Sequence, residues 1–165
     1  RKKGQLGYDL IQVYKDQLPF EPTDQDLDKD LVFIFTMVDK LTSLTFLELA
    51  KRKDYKRITP IAERAFKWFE KMLKQPMSSF KAYSDKGSEF DWKKYEKWGV
   101  KTILVPRSSI TEAKNSQAQR VLFRIAKMGN TNSLRKLIKD TQKILNETQQ
   151  HHEKNTLRKF RRKPR

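Results

Sequence analysis

The chain has no cysteine and only two histidines, His151 and His152, adjacent to each other in a polar stretch. Without cysteine there are no disulfides and no thiolate metal sites, although compartment is left open. Two neighbouring histidines in polar surroundings do not suggest a histidine metal or catalytic centre. Long apolar runs are also missing. None approaches the roughly 18 residues that a spanning helix needs, so the transmembrane class is excluded and no membrane partner is expected. Acidic residues are few, 20 Asp and Glu against 37 Lys and Arg in 165 residues, for a formal net charge of +17. Such an excess speaks to partners rather than fold, and the usual partners are nucleic acids, whose phosphates release counterions to Lys and Arg. The length suits one domain with one core. The chain begins at Arg1 rather than Met, which fits a removed organelle-targeting segment and equally a truncated N-terminus.

What is present reads as alternating strands and helices. Leu6–Val13 alternates as a strand, and the following "QLPFEPTDQDLDKD" carries two prolines and five acids, as a surface connection would. Leu31–Val38, "LVFIFTMV", is the continuous apolar and β-branched run of a strand buried on both faces. Ser43–Ala50 alternates after a turn at Asp39–Thr42, predicting a hairpin. Ile61, Ala65, Trp68, Phe69 and Met72 recur at helical spacing, with Thr59 as the expected cap, Pro60 at the first helical position and Pro76 beyond the end. "FKAY" predicts a short fourth strand, "DWKKYEKWG" a short helix closed by Gly99, and "VKTILVP" a fifth strand. A long helix is expected from Thr111 to Met128, with Ala118, Val121, Leu122 and Ile125 inward and Gly129 as its stop. A last helix is expected from Asn132 as cap, with Leu134, Leu137, Ile138 and Ile144 inward. The order β-β-β-α-β-α-β-α-α describes an α/β mixed sheet flanked by helices.

One stretch runs against the basic charge. "KAYSDKGSEF", Lys81–Phe90, places Asp85 at the end of a buried strand. An aspartate before Lys-Gly either shapes a turn or holds a metal ion, and the local sequence leaves both open. The "SDKGSEF" motif resembles the "TDKGxEF" motif that ends the fourth strand in DDE integrase catalytic cores, of the Maverick/Polinton transposon type most closely and of the retroviral type further off. "GYDLIQV" is similar to the first strand of that family, "TMVDKLTSLTFLEL" to its hairpin, "AKNSQAQRVLFRIAKM" to its catalytic helix and "ILNETQQHH" to a later segment. The resemblance runs from about Gly7 to His152. It implies a ribonuclease-H-like sheet of about five strands over residues 1–152, followed by a basic C-terminal tail, 153–165.

It also implies site residues. The first catalytic aspartate of the family falls on Asp9 and the second on Asp85, while its glutamate falls on Gln119. The family's chemistry uses two magnesium ions held by carboxylates. Magnesium prefers anionic oxygen ligands, and a glutamine amide brings no charge. The expectation is therefore a pseudoenzyme in which Asp9, Asp85 and Gln119 are vestigial positions. Asp9 and Asp85 would hold at most one magnesium ion, weakly, and no other cofactor is expected. Glu112, seven residues before Gln119, shares its helix face roughly 10 Å away, which is too far to replace the ligand without a register shift. Glu89 falls on an acid that is not a ligand in the family.

Trp68, Trp92 and Trp98 lie in apolar helical patterns and read as packing residues. The basic clusters Lys51-Arg52-Lys53, Lys93-Lys94 and Arg135-Lys136 would ordinarily be solvated faces, but their sum favours phosphate contact. The tail is the most basic element: Arg158, Lys159, Arg161, Arg162, Lys163 and Arg165 are six of the last nine residues. The expectation is a mitochondrial RNA-binding component of a ribonucleoprotein particle, a ribosome, contacting structured RNA and neighbouring proteins of that particle. The rival is an active metal-dependent DNA integrase or nuclease.

Overall fold

Strand β2 (Leu31–Asp39) is the continuous apolar run, buried along nearly its whole length. It pairs antiparallel with β1 (Gln5–Tyr14) on one side and β3 (Thr45–Ala50) on the other. Beyond β1, the short strands β4 (Lys81–Ser84) and β5 (Lys101–Leu104) run parallel to it, giving the order β3-β2-β1-β4-β5. The helices are α1 (Tyr55–Leu73), α2 (Trp92–Lys97), α3 (Ser109–Lys127) and α4 over 134–147. The computed structural model describes residues 3–106 and 109–147, so His151, His152 and the basic tail lie outside the described residues.

The two-residue period of the strands divides the core. Leu6, Tyr8 and Leu10 of β1 point with Phe33, Phe35 and Met37 of β2 toward α1 and α2. Ile11, Val13, Val32 and Ile34 point the other way, toward α3 and α4. Phe35, Phe66 and Phe69 are fully buried, and each contributes about 1.5–3 kcal/mol by leaving water. The tryptophans are packing residues, as expected. Trp68 meets Phe46 and Phe69, Trp98 meets Phe66 and Tyr95, and Trp92 packs against the same core.

The helix ends differ from the sequence reading in two places. α1 starts at Tyr55, not at Pro60: the Asp54 carboxylate accepts from the Arg57 N–H at 3.0 Å, and Pro60 sits inside the helix on its exposed side. The Thr59 hydroxyl donates to the Tyr55 carbonyl and does not cap. Proline favours the first helical turn, yet an exposed proline near the start of a long helix is tolerated when the remaining turns bury a full apolar face. α4 is capped by Ser133 and not by Asn132. The Ser133 hydroxyl accepts from Lys136, while Asp24, from the β1–β2 connection, accepts from the N–H groups of Leu134 (2.5 Å) and Arg135 (3.2 Å). Inward positions also shift at the margins. Met72 and Ile144 are exposed, Val121 and Ile125 are half-buried, and Ala126 and Leu145 take core positions.

The connection between β1 and β2 is thus a fastened strap as well as a surface segment. Leu18 is buried, and Phe20 and Leu27 pack against the second core. Lys51 donates to the Gln25 carbonyl, and Arg52 donates to the Asp26 carbonyl and pairs with its carboxylate.

The β3 edge is closed by side chains of α4. Asn146 accepts from the Thr45 N–H and donates to the Thr45 carbonyl, both at 2.9 Å, as a neighbouring strand would, and Gln142 accepts from the Leu47 N–H at 2.7 Å. An open edge invites pairing with another chain. Replacing both by alanine should cost about 1–3 kcal/mol in urea unfolding and promote concentration-dependent association, readable by light scattering.

Candidate active-site cleft

β1 and β4 run parallel with Gly7 opposite Tyr83. Asp9 and Asp85, each two residues further along, therefore emerge at the same end of the sheet. Both line one cleft of about 280 Å³, closed on its other side by Glu112, Asn115 and Gln119 of α3. All three positions carried over from the resemblance, Asp9, Asp85 and Gln119, are thus brought together.

The chemistry of "SDKGSEF" follows from the loop it builds. Asp85 is exposed, and its Oδ1 accepts from the Gly87 N–H at 3.0 Å, so the carboxylate shapes the turn and also faces the cleft. The side chain of Glu89 folds against Gly87 where a Cβ would otherwise sit, and Glu89 is largely buried. Phe90 anchors the far end, edge-on to Tyr8 at 4.9 Å between ring centroids. Glycine gives room, glutamate fills it and phenylalanine pins the loop to the core.

α3 lies close to β1 because residue 7 is glycine. A Cβ there would lie 2.7 Å from the Cβ of Ile110. This close approach lets the helix present residues 112, 115 and 119 to the aspartates, at the spacing of one helix face. Asn115 was missed in the sequence, although its position four residues before Gln119 was a usable signal. Its Nδ2 donates to Asp9 Oδ2 at 3.1 Å, and Asp9 Oδ1 accepts from the Leu10 N–H at 2.8 Å. Glu112 lines the cleft with Gln119, so the shared face expected from their spacing is present.

Burial raises the pKa of Asp9 above its ordinary value, with Asp85 and Glu89 adding repulsion against the partial relief of the hydrogen bonds. Burial also pushes the Tyr8 hydroxyl up to about 12. A carboxylate raised in the folded state contributes most to stability when protonated, below the ordinary 3.8, and that contribution is lost as pH rises through the folded value. Asp9→Asn should therefore raise the melting temperature at pH 7 by about 2 °C, and the gain should vanish below pH 3.8. Asn115 now donates its Nδ2 to Asp9 Oδ2, and by turning its amide over it would accept from the new amide through Oδ1, a buried atom without a partner among the described residues. Thermal unfolding across this pH range checks both statements.

The donor set of the cleft can be tested against magnesium. Asp9, Asp85 and Glu112 line the cleft with carboxylates, and Asn115 and Gln119 line it with neutral amides. Among the described residues no three acidic, histidine or cysteine side chains group as metal ligands. The hard oxygens of Asp9 and Asp85 fit one magnesium ion.

The basic positions scatter over the surface. Lys53, Lys93, Lys94, Arg135 and Lys136 are exposed, with Lys93 over the Trp92 ring and Lys136 paired to Asp140. Lys51 and Arg52 are engaged in holding the β1–β2 strap.

Two solved structures are similar to this chain in fold. The HTLV-2 integrase catalytic core domain, in a dimeric complex with magnesium, is 14% identical with a TM-score of 0.58, over 85% of this chain and 84% of that one. The fold is that of an integrase catalytic core. The simian T-cell lymphotropic virus intasome, in complex with PP2A regulatory subunit B56 gamma, is 10% identical with a TM-score of 0.62, over 84% of this chain. The alignment spans 47% of that longer chain. No protein-family profile and no curated protein sequence matches the chain. The integrase-like core therefore rests on the five-strand order, the flanking helices and the structural neighbours, and the expected ribonuclease-H-like fold is present.

Proposed function

We propose that this integrase-like domain, of Maverick/Polinton descent, has lapsed as a catalyst and serves as an RNA-binding structural component of a mitochondrial ribonucleoprotein particle, a ribosome. One observation carries the loss of catalysis: the face of α3 nearest the two aspartates bears Gln119 in the inherited ligand position, while the Asn115 amide donates to Asp9. Amides there orient a carboxylate without adding the negative charge that paired magnesium ions need. The net charge of +17 supports a polyanionic partner, and the basic residues 158–165 supply its strongest electrostatic element. Shape-directed contact with structured RNA needs no active centre. Asp9 and Asp85 would hold a single magnesium ion, weakly. Such an ion would neutralise the two carboxylates when bound.

The test is sedimentation of the native protein from an organelle lysate at moderate salt, with and without RNase. Co-migration with a ribosomal subunit that collapses after RNase treatment is the expected result. Migration as a small free species, or a shift only with DNase, would sink the ribosomal reading. A second reading has its own observation, since Glu112 lines the same cleft as Asp9 and Asp85. In that reading the chain is a metal-dependent DNA integrase or nuclease. It requires strand cleavage with magnesium or manganese that Asp85→Asn abolishes, whereas the first reading expects no turnover and little effect of that change on folding.

A further inference from the structure

The sheet is covered unevenly. α3 packs on β1 and β2, on the face that carries Gly7 and Asp9. Ala82 of β4 is buried in the opposite core, beneath α1 and α2. Alternation then places Lys81 and Tyr83 on the α3 side, on the strand next to the one that α3 covers, and the parallel register sets Lys101 beside Lys81 and Ile103 beside Tyr83. Both lysines are exposed, and Tyr83 and Ile103 are half-buried.

This patch has no structural rationale of its own. Like charges on adjacent strands destabilise a sheet. Among the described residues neither lysine has an acidic partner, and the half-buried tyrosine lies between them and the Asp85 turn. An aromatic ring on an open sheet face, flanked by cations, is the arrangement by which proteins stack unpaired bases while holding the backbone. The chain's own residues 157–165 are poor occupants of such a patch, because they carry charge of the same sign.

We propose that the open face of β4 and β5 is a platform for single-stranded RNA, with Tyr83 stacking a base and Lys81 and Lys101 contacting phosphates. This inference rests on the RNA-binding reading above and adds a site to it. The platform is separate from Lys93, Lys94, Arg135 and Lys136, and uses no metal.

The experiment is fluorescence anisotropy of the full chain with a labelled oligouridylate of about 12 nucleotides, repeated over a range of salt. Tyr83→Ala should weaken binding about five- to a hundredfold, and Tyr83→Phe should retain it. Lys81→Gln with Lys101→Gln should reduce the slope of log K against log salt by about 1.4, with an unchanged or higher melting temperature. Ultraviolet cross-linking should map to the peptide containing Tyr83. If these variants bind as the native chain does while Lys93→Gln with Lys94→Gln weakens binding, the platform is overturned and the RNA reading stands. If the native chain binds no RNA, both fall.

Discussion

Asp39→Ala should lower the free energy of unfolding by about 3–5 kcal/mol, the largest effect expected of any single polar change in the described structure. Asp39 is fully buried at the end of β2. One carboxylate oxygen accepts from the Gly4 N–H at 2.8 Å, and the other accepts from the N–H (2.9 Å) and hydroxyl (2.7 Å) of Thr42. The side chain thereby joins the start of β1 to the β2–β3 turn, where Ser43 adopts a left-handed backbone. Alanine would leave two backbone donors without their acceptor. Asparagine keeps one acceptor oxygen and should cost about half as much. Urea denaturation with a constant m-value measures both, and a loss below about 1 kcal/mol for alanine would mean that water replaces the carboxylate.

Gly7→Ala should cost about 2–3 kcal/mol and disturb the cleft as well. The added methyl would lie 2.7 Å from Ile110 Cβ and 2.8 Å from its Cγ2, too near for α3 to keep its place. Displacing the start of α3 moves Glu112 and Asn115 away from Asp9. Two readouts separate this from general loss of stability. The Asp9 carboxyl should titrate closer to its ordinary value as water enters, measurable by carbon-detected NMR. Pairing Gly7→Ala with Ile110→Gly should recover part of the stability, because the double variant removes both the Cβ and the Cγ2 that the new methyl meets. A Gly7→Ala variant of native stability would show that β1 and α3 have slack that their contact does not suggest.

Much of this architecture was legible because it depends on local pattern. A continuous apolar run forced β2 into the interior of the sheet, alternation marked β1 and β3, and the 3.6-residue period marked α1 and α3. Asp85 stood out for a chemical reason, since an acid between a buried strand and a Lys-Gly turn is unusual in so basic a chain. The helix starts were less legible. Pro60 suggested a first turn that Asp54 provides one and a half turns earlier, and the cap of α4 comes in part from Asp24, over a hundred residues away in the chain. Local propensity cannot register a capping carboxylate delivered by a distant loop. Lys51 and Arg52 illustrate the same limit, because a cationic run looks available for phosphate until the strap that occupies it is seen.

The amino-acid order alone determined the succession of strands and helices, the excess positive charge and the pair of aspartates that the integrase resemblance picks out. These are properties of composition, period and short motifs, which act over a few residues. The tertiary structure decided which of those residues share a space. Asn115 reaches Asp9, Glu112 joins the cleft, Asn146 and Gln142 close the β3 edge, and Lys81 stands beside Lys101 in register. Each of these juxtapositions depends on strand register and helix placement, which are set by the packing of both cores together.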